Sequence, residues 1–200
     1  MDVRLDVHKE APELEARITA STVHLLGTLT WVPDHEAALW KAAHLLPQHI
    51  AAAADSPTFR LGAIATRRVV LHDAAGVTPI PFDDLASDLA AGGVAPFPLG
   101  SDEALAVDLL HQHTDIAELL DAVISGQAAG TVLRQHPSYD VPEPAQGRTW
   151  CVDVDSTGVT LLRATAQETV TAFAAFTHPA HAPEELFGAM NGLLEAARAA

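Results

Sequence analysis

The last hundred residues hold an ordered series of segments that few folds can accommodate. His113-Thr114-Asp115 leads into an apolar helical stretch. Then come Trp150-Cys151-Val152-Asp153-Val154-Asp155, the turn Ser156-Thr157-Gly158, and Val159-Thr160-Leu161-Leu162-Arg163. A run rich in Thr, Ala and Val ends at Phe176, and Pro183-Glu184-Glu185-Leu186 opens a terminal helix that closes at Ala197-Arg198. The alanines of Thr165 to Phe176 permit a helix. Alternation of Val170, Ala172, Ala174 and Phe176 against Thr169, Thr171 and Phe173 instead favours a strand, pairing with Val159 to Arg163. The order is then a long helix, three antiparallel strands and a C-terminal helix, an α+β unit over residues 101–200.

Ser101 opens the long helix, with Asp102 and Glu103 near the positive end of its dipole. At 100° per residue, Leu105, Leu109, Ile116, Leu119, Leu120 and Val123 fall on one face. Asp108, His111, Asp115 and Glu118 fall on the other, where His111 reads as part of a solvated acidic surface. A break is expected near Gly126 and Gly130. The segment from His136 to Gly147, with Pro137, Pro142 and Pro144, reads as an extended loop.

In the first half, Arg17 to Val32 reads as one long strand or a bent hairpin, interrupted at Gly27. Asp34 is placed to cap a helix running to Ala54, which Pro47 must kink or divide. Arg60 to Leu71 is a second β segment, continued by a hairpin turning at Gly76. A short helix over Asp83 to Ala91 ends at Gly92-Gly93. Pro96, Pro98 and Gly100 then mark a linker, giving two units, 1–95 and 101–200.

Apolar residues make up 48% of the chain, enough for a substantial core, and the net charge is −15 with histidine neutral. Phosphate binding needs clustered Lys and Arg, so nucleic acid and anionic membrane surfaces are not expected partners. A single cysteine, Cys151, excludes an internal disulfide and a cysteine-rich zinc site. In a strand it reads as a small buried hydrophobe. No apolar run reaches the roughly 18 residues of a membrane span. The opening Met1-Asp2-Val3-Arg4-Leu5-Asp6 lacks the basic and apolar regions of a signal peptide. A cytoplasmic protein is therefore expected.

Eleven histidines invite a metal or haem reading. His111 and His113 lie two apart on a helix, about 200° around its axis, and cannot chelate one ion there. His113 falls within the apolar stripe, as a core or interface residue or as a ligand. His44 and His49 straddle Pro47, and His178 and His181 straddle Pro179, without a recognised ligand spacing. His24, in the first strand, and His72, at a strand end, are the other pocket candidates. Asp153 and Asp155 share a strand face. The Ser-Thr-Gly turn that follows gives Asp155 a structural use, bonding the turn backbone. No phosphate loop, nucleophile elbow or zincin motif is present, and no metal site is expected.

His113-Thr114-Asp115, Val154-Asp155-Ser156-Thr157-Gly158, Phe176 and Glu184-Glu185-Leu186 through Ala197-Arg198 together resemble a C-terminal domain of HugZ-like haem-utilisation proteins. The same domain occurs in glutamyl-tRNA reductase-binding protein. The resemblance covers roughly residues 101–200. In these relatives an FMN-binding-like split β-barrel comes first. Leu25-Leu26-Gly27-Thr28-Leu29-Thr30-Trp31, Arg60-Leu61-Gly62 and Arg67-Arg68-Val69-Val70-Leu71 look like its later strands. The resemblance implies a truncated split barrel, since only about sixteen residues precede the first β segment. It also implies a homodimer. FMN is not expected, because the missing strands supply part of the flavin-phosphate site.

The resemblance implies a haem-binding protein linked to haem utilisation or iron acquisition, with His24, His72 and His113 as candidate ligands. Any catalysis would be oxygenase-like haem degradation, and a non-catalytic role is the stronger expectation. The alternative is a non-enzymatic, dimeric interaction module whose exposed barrel edge is covered by a second subunit or a partner protein. A flavin-dependent oxidoreductase ranks third.

Overall fold

The computed structural model describes residues 1–13, 16–56, 58–90, 97, 98, 100–113 and 116–198, without the side chains of residues 89, 90, 112 and 113. The described residues form two four-stranded antiparallel sheets and six helices.

The first sheet is a meander of β1 (Asp2–Glu10), β2 (Thr19–Trp31), β3 (Gly62–Asp73) and β4 (Gly76–Pro81), paired in chain order. It is open, with β1 and β4 as edges, consistent with a truncated split barrel. The β2–β3 register slips between Leu25 and Gly27, so the glycine that interrupts the sequence marks a bulge within one strand and no hairpin forms there. Bulk at Gly27 would run into the β3 backbone at Ala65. The sharp β3–β4 turn is held by Asp73, whose Oδ1 accepts from the N–H groups of Ala75 (2.9 Å) and Gly76 (3.0 Å). Gly76 supplies the positive φ of 139° that the turn needs.

Helices α1 (Asp34–Ala42) and α2 (Gln48–Ala53) are the two parts into which Pro47 divides the expected helix. Pro33 occupies the N-cap and Asp34 the first turn, so Asp34 serves the dipole and not the cap. Helix α3 (Phe82–Ala90) follows β4 and packs against β3 and β4.

The second sheet runs β5 (Gly130–Pro137), β8 (Glu168–Ala175), β7 (Gly158–Ala164), β6 (Arg148–Asp155). This is a Greek-key order, with β5 returning beside the last strand of a three-strand meander. The three expected strands are present. The fourth, β5, begins where a glycine break was expected and takes in the first residues of the expected loop. The expected long helix is described in two segments, α4 (Gly100–His113) and α5 (Ile116–Ile124), with residues 114 and 115 outside the described residues; α6 (Pro183–Arg198) follows. A single stripe phased across both segments misplaces the core face of α4. Leu105 is exposed, while Ala106, Val107 and Leu110 are buried.

Most of the core belongs to the second half. Leu110, Leu119, Leu120, Leu161, Leu186 and Met190 are fully buried between α4, α5, α6 and one face of the sheet. In the first sheet only Val69 reaches comparable burial among the described strand residues.

Candidate functional site

The first eight residues alternate charge and apolar bulk, which in a strand sorts them onto opposite faces. Register puts Arg4 opposite Leu26, Asp6 opposite His24 and His8 opposite Thr22 on one face. The same face continues through His24 opposite Val70 and Thr22 opposite His72, then Val77 opposite His72. Three histidines, a carboxylate and a guanidinium therefore share one open sheet surface.

Two of the sequence-derived candidates meet there. The rings of His24 and His72 lie 4.7 Å apart between centroids at 76°, an edge-to-face contact. His24 Nδ1 is 2.6 Å from Asp6 Oδ1 and 3.0 Å from an Arg4 guanidinium nitrogen. Arg4 Nε also donates to Asp6 Oδ1 at 2.6 Å. The Asp6 contact calls for a proton on Nδ1, which the neutral Nδ1–H tautomer and the imidazolium both supply; the Arg4 nitrogen then faces an N–H and is not bonded to it. In the neutral Nδ1–H tautomer Nε2 keeps its lone pair. Hydrogen bonds from Arg4 and then His24 hold the Asp6 carboxyl below its usual range, which keeps the acceptor ionised. His8 Nδ1 lies 2.9 Å from Thr22 Oγ1. Exposed Leu26 and Val77, with half-buried Val70, give the same surface apolar bulk around the rings.

His113, the third candidate, closes α4, and its side chain lies outside the described residues. His136 was not singled out by its sequence. It lines a cavity of about 200 Å³ between the sheets, with Ile18, Ala20, Asp73 and Leu162 among its neighbours. Its Nδ1 sits 3.0 Å from the Pro137 carbonyl oxygen. The described residues contain no group of three or more His, Cys, Asp or Glu side chains arranged to hold a metal ion.

The two halves are tied by residues of the first strand and the connection after it. Lys9 Nζ reaches Asp153 (2.6 Å) and Glu103 (2.8 Å). Burial works against its charge, but the two carboxylates outweigh that and raise its pKa above the ordinary value. Glu13, with a side chain only 3% exposed, accepts from the Cys151 N–H at 2.8 Å and meets His111 Nε2 at 3.2 Å. His111 is thus paired with a buried carboxylate and is not merely part of a solvated acidic face. Asp155 has the structural use expected of it, accepting from the N–H groups of Thr157 and Gly158.

Cys151 is fully buried, and desolvation, with the Glu13 and Asp153 carboxylates adding to it, pushes its thiol far above the ordinary range. In native protein it should react with an aromatic disulfide reagent only as fast as the protein opens. Stopped-flow labelling in native buffer and in denaturant checks this; rapid native labelling would contradict the burial.

No helix of the described residues is long and apolar enough to cross a membrane. Among solved structures, a heme binding protein from Mycobacterium smegmatis aligns with a TM-score of 0.50 and 17% sequence identity, over 100% of this chain and 74% of that one. A likeness at this identity bears on the fold. No protein-family model matches the chain, and no curated protein does.

Proposed function

We propose that this chain binds haem on the His24–His72 face of its first sheet, where His24 Nε2 would hold the iron. The observation that carries this reading is the Asp6–His24 hydrogen bond. A histidine that ligates a metal usually gives its other N–H to a carboxylate or carbonyl, which fixes the tautomer and raises the basicity of the ligating nitrogen. His24 alone among the described histidines has a carboxylate on Nδ1 within 3 Å. Leu26, Val70 and Val77 supply apolar surface on the same face, as a porphyrin requires. Bound haem would supply redox-active iron; the protein's part is to orient the His24 ring by holding its Nδ1–H against the Asp6 carboxylate. The name of the structural neighbour, a heme binding protein, is a second and independent support.

A haemin titration followed by absorbance in both oxidation states tests the reading. Wild type should give a saturable, near-stoichiometric Soret change that moves again on reduction. His24→Ala should abolish the axial spectrum. Asp6→Asn should weaken binding roughly 10- to 100-fold, the usual cost of losing such an outer partner. His72→Ala, His113→Ala and His136→Ala should bind as ligated complexes. A featureless titration would remove haem binding, and loss confined to His113→Ala or His136→Ala would move the ligand elsewhere.

A further inference from the structure

We infer that the crevice between the two sheets is a binding site for a free α-amino acid with a branched aliphatic side chain. Strand register builds its floor. Arg134 pairs with Thr171 and Thr171 with Leu162, while His136 pairs with Thr169 two residues along. Directly paired residues share a sheet face. The alternate residues Ala172 and Ala174 belong to the core beneath the helices, so this row lies on the opposite face. Ile18 and Ala20 from the start of β2, with Asp73 from the β3–β4 turn, form the other wall.

Thr171 is the observation that points to a ligand. It is only 9% exposed and lines the cavity, yet its hydroxyl has no hydrogen-bond partner among the described residues. Its neighbour Thr169 meets Ser138 Oγ at 2.8 Å. A buried hydroxyl without a partner is costly, and a ligand that bonds it recovers that cost.

Charge fixes the class of ligand. Arg134 lines the cavity without a carboxylate partner among the described residues. Asp73 lines it too; its Oδ1 takes the N–H groups of Ala75 and Gly76, and no hydrogen bond from the described residues reaches its Oδ2. A simple carboxylic acid suits Arg134 but meets Asp73 with like charge, and a simple amine does the reverse. A zwitterion suits both, its carboxylate on the Arg134 fork and its ammonium toward Asp73. An ammonium has three protons to give. Thr171 Oγ1 is a second acceptor. His136 supplies a third: its Nδ1 faces the Pro137 carbonyl at 3.0 Å and carries the proton, so in the neutral ring Nε2 accepts.

Size and lining fix the side chain. The cavity of about 200 Å³ is the share of roughly seven waters at ~30 Å³ each, room for an amino acid and not for a porphyrin. It shares Ala20, Asp73, Ala74 and Val152 with a second cavity of about 240 Å³. Leu133, Val152 and Phe173 line that neighbour. Its own carboxylates are engaged, Asp153 by Lys9 and Asp155 by the turn that follows it. The aliphatic side chain enters this second cavity while the charged end stays between Arg134 and Asp73.

The test is calorimetric titration of the intact chain with L-leucine, isocaproic acid and isoamylamine, which share one apolar body and carry both charges, the carboxylate alone or the ammonium alone. Leucine should bind saturably, near one per chain. Each analogue should bind roughly tenfold more weakly or worse, the cost of a lost charged hydrogen bond. Arg134→Ala should weaken leucine to the same extent. Asp73→Asn keeps an oxygen for the turn and should erase the preference for leucine over isocaproic acid. Thr171→Val should weaken leucine roughly 2- to 10-fold, with no fall in the melting temperature of the ligand-free protein. Such a fall would mean that the hydroxyl is bonded within the protein, and would overturn the inference. So would the lack of a saturable signal with leucine, isoleucine and valine, or equal binding of leucine and isocaproic acid by wild type. No probe contains iron and every variant keeps Asp6, His24 and His72, so this inference and the haem reading fail separately.

Discussion

Replacing Gly158 with alanine is expected to cost the protein about 3 kcal/mol of stability, the upper end of what forced overpacking usually costs. Gly158 begins β7 and pairs with both Asp155 and Ala175. An added Cβ would sit 2.5 Å from Cζ and 2.9 Å from Cε2 of Phe173, and deep inside contact with the Ala174 carbonyl oxygen. The ring could swing away, but the carbonyl belongs to the β7–β8 ladder and cannot move without breaking it. The cost is steric, not conformational. Gly188→Ala is the matched control, since nothing lies within 4 Å of its would-be Cβ and it sits inside α6. That change should stabilise by up to about 1 kcal/mol, through helix propensity. Urea unfolding of the two variants checks the pair, and an unchanged midpoint for Gly158→Ala would mean β7 and β8 can separate at that point.

The second large effect is expected at Leu120. Leu120→Ala should destabilise by about 2–5 kcal/mol, the range for truncating a fully enclosed leucine. Leu120 is fully buried on α5, in the same cluster as Leu119, Leu161, Leu186 and Met190. Elements on every side are anchored in the sheet or in α6, so the cavity has little room to collapse. Leu39→Ala, at 64% exposure on α1, should change stability by less than about 0.5 kcal/mol. Chemical denaturation of both distinguishes a shared core from a loosely assembled one. A loss below about 1 kcal/mol at Leu120 would indicate that α5 repacks.

The second half of the fold was more legible in sequence than the first. Strands β6, β7 and β8 and helix α6 carry strong signals, namely alternation, an Asp-x-x-Gly turn and an apolar helical face. Strand β5 escaped because a glycine at each end of the preceding turn and a proline at its own end read as punctuation. The core face of α4, at Ala106, Val107 and Leu110, escaped because one helical phase was drawn through it and α5. Strand β1 was missed for a different reason. Its odd residues through Val7 are modest apolar side chains, and its even residues carry polar and charged groups that look like a solvated terminus. With β1 unread, Asp6 and Arg4 could not be placed beside His24. The sequence singled out His24 and His72 separately, and nothing in their spacing of forty-eight positions announced that β2 and β3 bring their rings into contact. Glu13 gave no local signal, because its partners lie 98 and 138 residues away.

The Greek-key order of the second sheet sets a timetable for folding. The first sheet joins only neighbours in the chain, so each of its strands can pair as soon as the next is made. Strand β5 has no such neighbour: Gly130 must wait for Ala174 and Pro137 for Glu168. At ribosomal rates of about 5–20 residues per second, that gap lasts seconds. Throughout that interval Thr131-Val132-Leu133 stands as an unpaired β segment, and α5 has at most the β6–β7 hairpin against it. Strand β8 closes the sheet, and the core behind it is complete only once α6, which follows β8 in the chain, brings Leu186 and Met190 onto it.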